Sequence, residues 1–281
     1  MKRNLETELS GVIPAELKRW IPRSFDVIGG KGDAVAVIEI SPEIEYYQYK
    51  IAEALVRVHS NVKSVLSKGS ERQGEFRVRE MKLLYGDPDT EVTHRENGCW
   101  MRVDPAKVYF SPRECTEREK IMRIITPGEK ILVMFSGVGP FAVCIAKHNP
   151  SVSVIAVELN DEGHRYCLEN IKLNKLGDRL KAFQGDVRSI CPPMGQTFDR
   201  VLMPLPKGAY QFLDIALKAL KSGGILHFYH WSPRGNLFVE GEATLLEAVL
   251  KEGRTAEILD RVKVSQYSPS TWKIRIDARI L

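Results

Sequence analysis

Beyond Lys130 the chain alternates between short apolar runs and longer amphipathic stretches. Uninterrupted apolar runs are typical of strands buried on both faces, and apolar residues at every third or fourth position are typical of helices. The predicted strands are ILVMF (131–135), SVIAVEL (153–159), LKAFQGD (180–186), DRVLMPLP (199–206) and GGILHFYHW (223–231). The predicted helices lie near 140–147, 161–176, 209–220 and 242–252, and 255–264 pairs with 271–280 as an antiparallel closing hairpin. This alternation predicts an α/β fold with a doubly wound, mostly parallel sheet.

The first part of the chain has a different order of predicted helices and strands, which is typical of a mixed α+β domain. Two apolar stretches around a glycine-rich turn predict a hairpin over Phe25–Ile40. Helices are predicted at 45–58 and 114–125, the second closed by Pro127 and Gly128, and short strands at 62–66, 76–84 and 99–103. We therefore predict a smaller N-terminal α+β domain over residues 1–105 and the doubly wound domain over residues 106–281.

Composition narrows the class of protein. The 281 residues are 43% hydrophobic and 27% charged, which is ample for a packed core. No apolar run approaches the ~20 residues of a membrane span, and the opening segment lacks the apolar core of a signal peptide. Five cysteines without a CxxC pair argue against a disulfide framework or a zinc ribbon. We expect a cytoplasmic protein with no membrane segment and no metal.

The net charge of +5 is unevenly distributed. Residues 1–120 carry 20 basic and 20 acidic side chains, whereas the rest of the chain carries 21 and 16. An excess of this size is usually a solubility feature. Charge by itself is therefore weak support for a nucleic-acid partner.

A glycine-rich turn, FSGVGPF (135–141), follows the first buried strand and opens a helix. Glycines in such a turn allow the backbone to approach a bound ligand. The third glycine of a dinucleotide-binding G-x-G-x-x-G motif is replaced by Ala142, which argues against a nicotinamide cofactor.

Acidic residues end the next two strands. Glu158 follows the glycines by about 20 residues, where a carboxylate accepts hydrogen bonds from a ribose diol. Taken alone, Glu158 fits a solvated helix N-cap region equally well. Asp186 ends the third strand, where it is placed to accept from an adenine amino group. Three such elements at one edge of a sheet predict an adenosine-containing cofactor, and the short glycine turn favours S-adenosylmethionine.

Several longer motifs resemble one family. They include SVLSKGSERQGEFRVRE (64–80), HRENGC (94–99), KVYFSPRECTER (107–118), ENIKLNK (169–175), LPKGAYQFLDIAL (205–217) and GGILHFYH (223–230). The chain resembles the archaeal and eukaryotic tRNA (guanine-37-N1)-methyltransferases, and shares much of the pattern with the wybutosine-pathway aminocarboxypropyltransferases. The resemblance implies a class I, Rossmann-like methyltransferase domain, an N-terminal tRNA-positioning domain, S-adenosylmethionine as cofactor and tRNA as partner.

The resemblance also assigns roles to residues. It implies that Glu117 of the TER motif removes the guanine N1 proton and that Arg77, or alternatively Arg79, stabilises the charge on O6. Without the family, Glu117 and Arg118 fit an exposed helical charge pair. The implied cofactor contacts are Phe135, Gly137, Gly139, Phe141, Glu158, Asn174, Asp186 and Pro204. The implied RNA contacts are Lys107, Arg113 and Arg118.

Three departures from the family pattern keep alternatives open. Val133 stands where the family commonly has an aspartate, and Pro204 stands where the methyltransferases carry the asparagine of Asn-Leu-Pro. We also expect no tRNA-corner domain before residue 1. Aminocarboxypropyl transfer at the same tRNA position and a non-catalytic tRNA-binding relative therefore remain alternatives to methyl transfer.

Two histidines, His227 and His230, lie on one predicted strand. Residues three apart on a strand face opposite sides, so these do not predict a metal site. We expect these histidines to be structural or adjacent to the substrate. The neighbouring Tyr229 and Trp231 are expected to act in packing, with stacking on a flipped guanine as the alternative.

Overall fold

The structure, a computed structural model, describes residues 4–69 and 80–281. It divides into two compact units, Met1–Arg113 and Glu114–Leu281. The division falls a few residues after the predicted boundary because the segment before it is tied to the first unit. Arg113 Nε lies 2.6 Å from Asp26 Oδ1, and the Phe110 ring contacts His94 edge-on, 5.2 Å between centroids.

The first unit is built on a four-stranded sheet with a separate hairpin. Its sheet has the order β1 (Asp26–Gly30), β2 (Asp33–Ile38), β3 (Val62–Lys68) and β4 (Met81–Gly86), and β5 (Val92–Glu96) pairs with β6 (Cys99–Val103). Its helices are α1 (Leu5–Glu8) and α2 (Gln48–Val58), with 3-10 turns at Ala15–Trp20 and Pro42–Tyr47. Ile51 and Leu55 of α2 are buried in one core with the sheet residues Ile38 and Val65, and α2 lies within the helix predicted at 45–58.

The second unit alternates helix and strand. Its elements are α3 (Cys115–Arg123), β7 (Lys130–Met134), α4 (Pro140–His148), β8 (Ser153–Glu158), α5 (Asp161–Leu173), β9 (Leu180–Gln184), α6 (Val187–Ile190), β10 (Phe198–Met203), α7 (Leu213–Ala219), β11 (Leu220–Pro233), α8 (Val239–Lys251), β12 (Ala256–Ser268) and β13 (Thr271–Ile280). Short 3-10 turns lie at Pro192–Met194 and Ala209–Phe212, and another at Pro112–Glu114 where one unit ends and the next begins.

A seven-stranded sheet organises this unit, in the order β12-β13-β11-β10-β7-β8-β9. The pairs among β11, β10, β7, β8 and β9 are parallel, whereas β13 is antiparallel to both β11 and β12. This confirms the doubly wound α/β fold and the antiparallel closing hairpin. Because the chain order reverses between β7 and β10, the carboxyl ends of these strands border a crevice where open α/β sheets bind ligands.

The two faces of strands β11 and β13 have different characters. Leu226 and Phe228 of β11, and Ile274 and Ile276 of β13, join the apolar core that includes α7 and α8. The alternate positions carry polar or charged side chains, although they too are buried. One face of the sheet is therefore hydrophobic and the other holds a buried polar layer. Among the described residues, no helix is both long and apolar enough to cross a membrane.

Candidate cofactor and catalytic site

The glycine turn after β7 requires its glycines for two different reasons. Gly137 and Gly139 have φ values of +55° and +84°, which L side chains rarely adopt. A Cβ on Gly139 would lie 2.7 Å from Cys167 Sγ, whereas one on Gly137 would meet nothing within 4 Å. Gly139 therefore permits close packing of the turn on α5, and Gly137 leaves open space beside the turn. Phe135, at φ +55°, begins the turn.

Glu158 is the last residue of β8, and its side chain contacts the backbone of the glycine turn. Its Oε2 accepts from the Gly137 N–H at 2.6 Å, and its Oε1 accepts from the Asn160 N–H at 2.8 Å. Burial raises the pKa of Glu158, although the N–H groups of Asn160 and Gly137 act in the opposite direction. The helix N-cap is Asn160, whose side chain accepts from Gly163 N. The Leu159 N–H is a third donor to this carboxylate. A carboxylate has about four acceptor positions, so Glu158 keeps acceptor capacity for a ligand hydroxyl.

Asp186 lies just beyond β9, on the same edge of the sheet. Its Oδ1 accepts from Arg188 N at 2.8 Å, so the side chain also caps the short helix α6. The Gly185 N–H donates to the Glu158 carbonyl at 2.9 Å, which joins the ends of β8 and β9. The structure thus brings the glycine turn, Glu158 and Asp186 together at three adjacent strand ends.

An aromatic residue that the sequence did not single out borders this edge. The Phe212 ring lies 5.0 Å from the Phe135 ring in an edge-on contact, and the Arg188 guanidinium lies 4.3 Å above Phe212. Pro204 follows β10 and is partly exposed, whereas Val133 within β7 is fully buried. Phe141, in the first turn of α4, is 4% exposed and packs into the interior.

The prediction for Asn174 is corrected by the structure. Helix α5 begins beside Glu158 and ends at Leu173, so its 13 residues carry Asn174 ~20 Å away from the strand ends. Asn174 Nδ2 donates to the Asn170 carbonyl, which makes it a helix-end residue. In the same motif, Asn170 is fully buried and its Nδ2 donates to the Val138 carbonyl of the glycine turn at 3.0 Å. Sequence reasoning missed Asn170, although ENIKLNK contains both asparagines.

Glu117 lies on α3 and is 4% exposed, so it does not form the exposed charge pair that α3 alone suggested. Its Oε1 forms a short ion pair with Arg275 Nη1 and accepts from the Tyr229 hydroxyl at 2.7 Å. Burial raises the pKa of Tyr229 well above its ordinary value, so this hydroxyl stays protonated and donates. The Tyr229 ring lies 6.0 Å from the ring of Phe141, the last residue of the glycine turn. Glu117 is therefore linked through Tyr229 to the cofactor-side elements.

The other residues predicted to act in catalysis or RNA binding are Arg77, Arg79, Lys107, Arg113 and Arg118. Arg77 and Arg79 lie outside the described residues. Lys107 and Arg113 are exposed and pair with Asp104 and Asp26, respectively. Arg118 is 1% exposed, so the structure contradicts its predicted role as an RNA contact: its guanidinium is turned inward, 3.9 Å from Glu114.

Within 4–69 and 80–281, no group of three or more His, Cys, Asp or Glu side chains is arranged to hold a metal ion. His227 contacts Arg200 and Asp277, whereas His230 faces Glu240, so the two rings have separate surroundings.

A doubly wound sheet with a glycine turn after its first strand and acidic residues after the next two defines a class I methyltransferase fold. Residues 92–259 match the TRM5/TYW2 methyltransferase domain, and residues 5–90 match the TYW2 N-terminal domain. The chain belongs to the TRM5/TYW2 family.

The relatives include both predicted reaction types. The chain is 40% identical over 268 residues to the tRNA (guanine(37)-N(1))-methyltransferase Trm5b of Pyrococcus abyssi, covering 95% of this chain and 78% of the relative. It is 33% identical over 280 residues to the tRNA(Phe) (4-demethylwyosine(37)-C(7)) aminocarboxypropyltransferase of Pyrococcus horikoshii, covering 100% and 97%.

Solved structures agree with this family. The Pyrococcus abyssi Trm5b structure superposes with a TM-score of 0.85 over 95% of this chain and 78% of that one, at 40% identity. Pyrococcus horikoshii TYW2 in complex with MeSAdo gives a TM-score of 0.83 at 32% identity, covering 100% of this chain and 99% of that one. A complex of aTrm5 with tRNALeu gives 0.86 at 32% identity, covering 100% and 79%.

Proposed function

We propose that this protein transfers a methyl group from S-adenosylmethionine to N1 of guanine 37, next to the anticodon of tRNA. The observation that carries the proposal is a buried carboxylate, Glu117, held by Arg275 and Tyr229 in the same unit as the glycine turn and Glu158. Similarity to Trm5b over most of the chain supports the choice of acceptor.

The residues at the strand ends fit an adenosylated cofactor. Gly137 leaves open space beside a turn of positive φ, and Glu158 keeps acceptor capacity for a ribose hydroxyl. Asp186 and the Phe135–Phe212 pair would border the adenine. When bound, S-adenosylmethionine supplies an electrophilic methyl carbon attached to a positively charged sulfur.

The chain's own residues would handle the proton and the developing charge. Guanine N1 carries a hydrogen and is a weak nucleophile, so a base must remove that proton during transfer. Glu117 is our proposed base: Arg275 and Tyr229 both contact its Oε1, and we assign its Oε2 to accept the guanine N1 proton. As the proton leaves, negative charge grows on O6, and Arg77 or Arg79 is our proposed cationic donor.

The tRNA itself would be held by both units. We assign a tRNA-positioning role to the N-terminal unit and phosphate contacts to the exposed Lys107 and Arg113. We place the reaction in the cytoplasm, since all five cysteines are unpaired, as in a reducing compartment.

A second candidate, aminocarboxypropyl transfer, is favoured by two specific observations. Residues 5–90 match the TYW2 N-terminal domain, and Pro204 stands at the end of β10, where methyltransferases carry an asparagine. Proline offers neither the amide donor nor the carbonyl acceptor of that side chain.

One experiment separates these functions. Unmodified tRNA with guanine at position 37 is incubated with S-adenosylmethionine labelled either in the methyl group or in the aminocarboxypropyl carbons. With methyl-labelled S-adenosylmethionine we expect label in N1-methylguanine. With S-adenosylmethionine labelled in the aminocarboxypropyl carbons we expect no label in this tRNA. A matched tRNA with adenine at position 37 should take up no label. Carboxypropyl label in tRNA carrying the wyosine precursor would identify the second function, and tRNA binding without any transfer would identify a non-catalytic relative.

A further inference from the structure

The polar face of the β11–β13 ladder forms one connected network beneath Glu117. Cross-strand partners place His227 opposite Asp277 and Tyr229 opposite Arg275. All four side chains are at most 4% exposed. A buried ion pair adds little stability compared with apolar packing, so a buried charged network next to a proposed catalytic group points to a functional role.

Arg275 is the link between this network and Glu117. Its Nε and Nη2 donate to the two oxygens of Asp277 at 2.7 Å and 3.0 Å, and its Nη1 pairs with Glu117 Oε1. The two-pronged contact with Asp277 fixes the plane of the guanidinium. Burial acts to lower the pKa of Arg275, but Tyr229, Asp277 and Glu117 outweigh it, so the pKa is raised and the group stays charged.

Asp277 is fixed in turn by a histidine of defined tautomer. His227 Nε2 lies 2.6 Å from Arg200 Nη1, and a guanidinium can only donate, so Nε2 must accept. The ring proton is therefore on Nδ1, which donates to Asp277 Oδ1 at 2.6 Å. Arg200 is held by two contacts to Glu129, of 2.7 Å and 2.8 Å. Every connection from Glu129 to Glu117 has a defined donor and acceptor.

We propose that Arg275 and Asp277, oriented by His227, are positioning residues that hold Glu117 Oε1 and leave Oε2 directed toward the acceptor base. The proposal rests on the proposed function, because it takes Glu117 as the proton acceptor. It assigns no contact with substrate or cofactor to Arg275, Asp277 or His227. Their effect on the reaction is exerted through the orientation of the Glu117 carboxylate.

The test uses the full-length enzyme and the conservative change Asp277→Asn. Asparagine replaces one carboxylate oxygen with an NH2 group, which cannot accept a hydrogen bond. In place of Oδ2 this group faces Arg275 Nη2, and in place of Oδ1 it faces both Arg275 Nε and His227 Nδ1, so in either orientation Arg275 loses one of its two hydrogen bonds to residue 277. A displacement of ~1 Å costs roughly 10²-fold in rate, so we expect single-turnover methyl transfer to slow by about 10- to 100-fold. Cofactor affinity measured by calorimetry should change by less than about twofold, because only the chemical step is affected.

The decisive readout is the same change made in a Glu117→Gln background. If Asp277 acts through Glu117, the double variant is no slower than Glu117→Gln alone, because the group being positioned has already been removed. A merely structural role would multiply the two losses. Equal slowing by Asp277→Asn in both backgrounds would overturn the proposal.

Controls keep the result interpretable. Arg279 lies two residues beyond Asp277 on the same strand, but it pairs with the exposed Glu257 and not with the network. Arg279→Gln should therefore leave the transfer rate unchanged. Arg275→Lys retains the positive charge but loses the planar guanidinium that contacts both oxygens of Asp277. Methyl transfer should therefore slow less in Arg275→Lys than in Arg275→Gln. If Asp277→Asn does not fold, His227→Gln serves for the same comparison. A wild-type enzyme that transfers no methyl group would refute the function together with this role; an active wild type with an equally fast Asp277→Asn refutes the positioning role alone.

Discussion

Replacing Gly139 by alanine tests why the glycine turn has its particular sequence. At φ +84° an L residue pays about 1–2 kcal/mol relative to glycine. The new Cβ would also lie 2.7 Å from Sγ of the fully buried Cys167, an overpacked contact that costs about 1–3 kcal/mol. Together, we expect Gly139→Ala to lower the free energy of unfolding by about 2–5 kcal/mol.

Gly137→Ala is the matched control. Its φ of +55° imposes the same kind of backbone cost, but the added Cβ meets nothing within 4 Å. We therefore expect a loss of only about 1–2 kcal/mol in the free energy of unfolding. Its cofactor affinity should nevertheless fall, because the methyl group enters the open space that we assign to S-adenosylmethionine.

Urea denaturation followed by circular dichroism measures both losses, in wild-type and Cys167→Ala backgrounds. Removing Sγ should recover about 1–3 kcal/mol of the Gly139→Ala loss and leave the Gly137→Ala loss unchanged. The reasoning is refuted if Gly139→Ala costs no more than Gly137→Ala, or if its cost is the same with and without Cys167.

Three further predictions concern the site. Glu117→Gln should reduce the single-turnover rate by about 10²- to 10⁴-fold with little change in cofactor Kd, and equal losses in both would contradict its role as base. Asn170→Ala removes the side chain that donates to the Val138 carbonyl of the glycine turn. Calorimetry should therefore show weaker cofactor binding, and urea denaturation should show a loss of about 1–3 kcal/mol in the free energy of unfolding. The control Asn174→Ala should leave the cofactor Kd unchanged. Burial lowers the pKa of His227 below its ordinary 6.5, so the unfolded chain binds a proton that the folded state resists. The free energy of unfolding should therefore fall as pH decreases below 6.5. Denaturation measured from pH 5 to 8 should show a flatter pH dependence for His227→Gln than for the wild type. An unchanged slope in this variant would contradict the role of His227.

Most of the sheet was predictable because its strands are buried on both faces. A continuous apolar run such as 131–135 has few alternatives to a central strand, and the glycines and acids that follow each run mark the carboxyl edge. The meeting of the glycine turn, Glu158 and Asp186 at one edge follows from parallel pairing. Of the strand predicted at 76–84, residues 76–79 lie outside the described ranges, and the structure has the strand at Met81–Gly86.

The error at Asn174 has a clear physical reason. Asn170 and Asn174 are four residues apart, so they lie on the same side of α5 and look equivalent in the sequence. Only Asn170 reaches the carbonyl of Val138, because the rise along the helix carries Asn174 away from the turn. A motif identifies the helix face that matters but not which turn of that helix contacts a given loop.

The alternation in β13 shows what the sequence determined by itself and what it left to the tertiary structure. The segment KIRIDARI alternates charged and apolar residues, which determines a strand with two unlike faces. In an isolated strand the charged face would be solvated. In the folded unit, β11 supplies His227 and Tyr229 beside it and α3 supplies Glu117, so Arg275 and Asp277 are buried with their hydrogen bonds satisfied. Burial of a charge depends on partners distant in sequence, and those partners come together only when the sheet and helix pack.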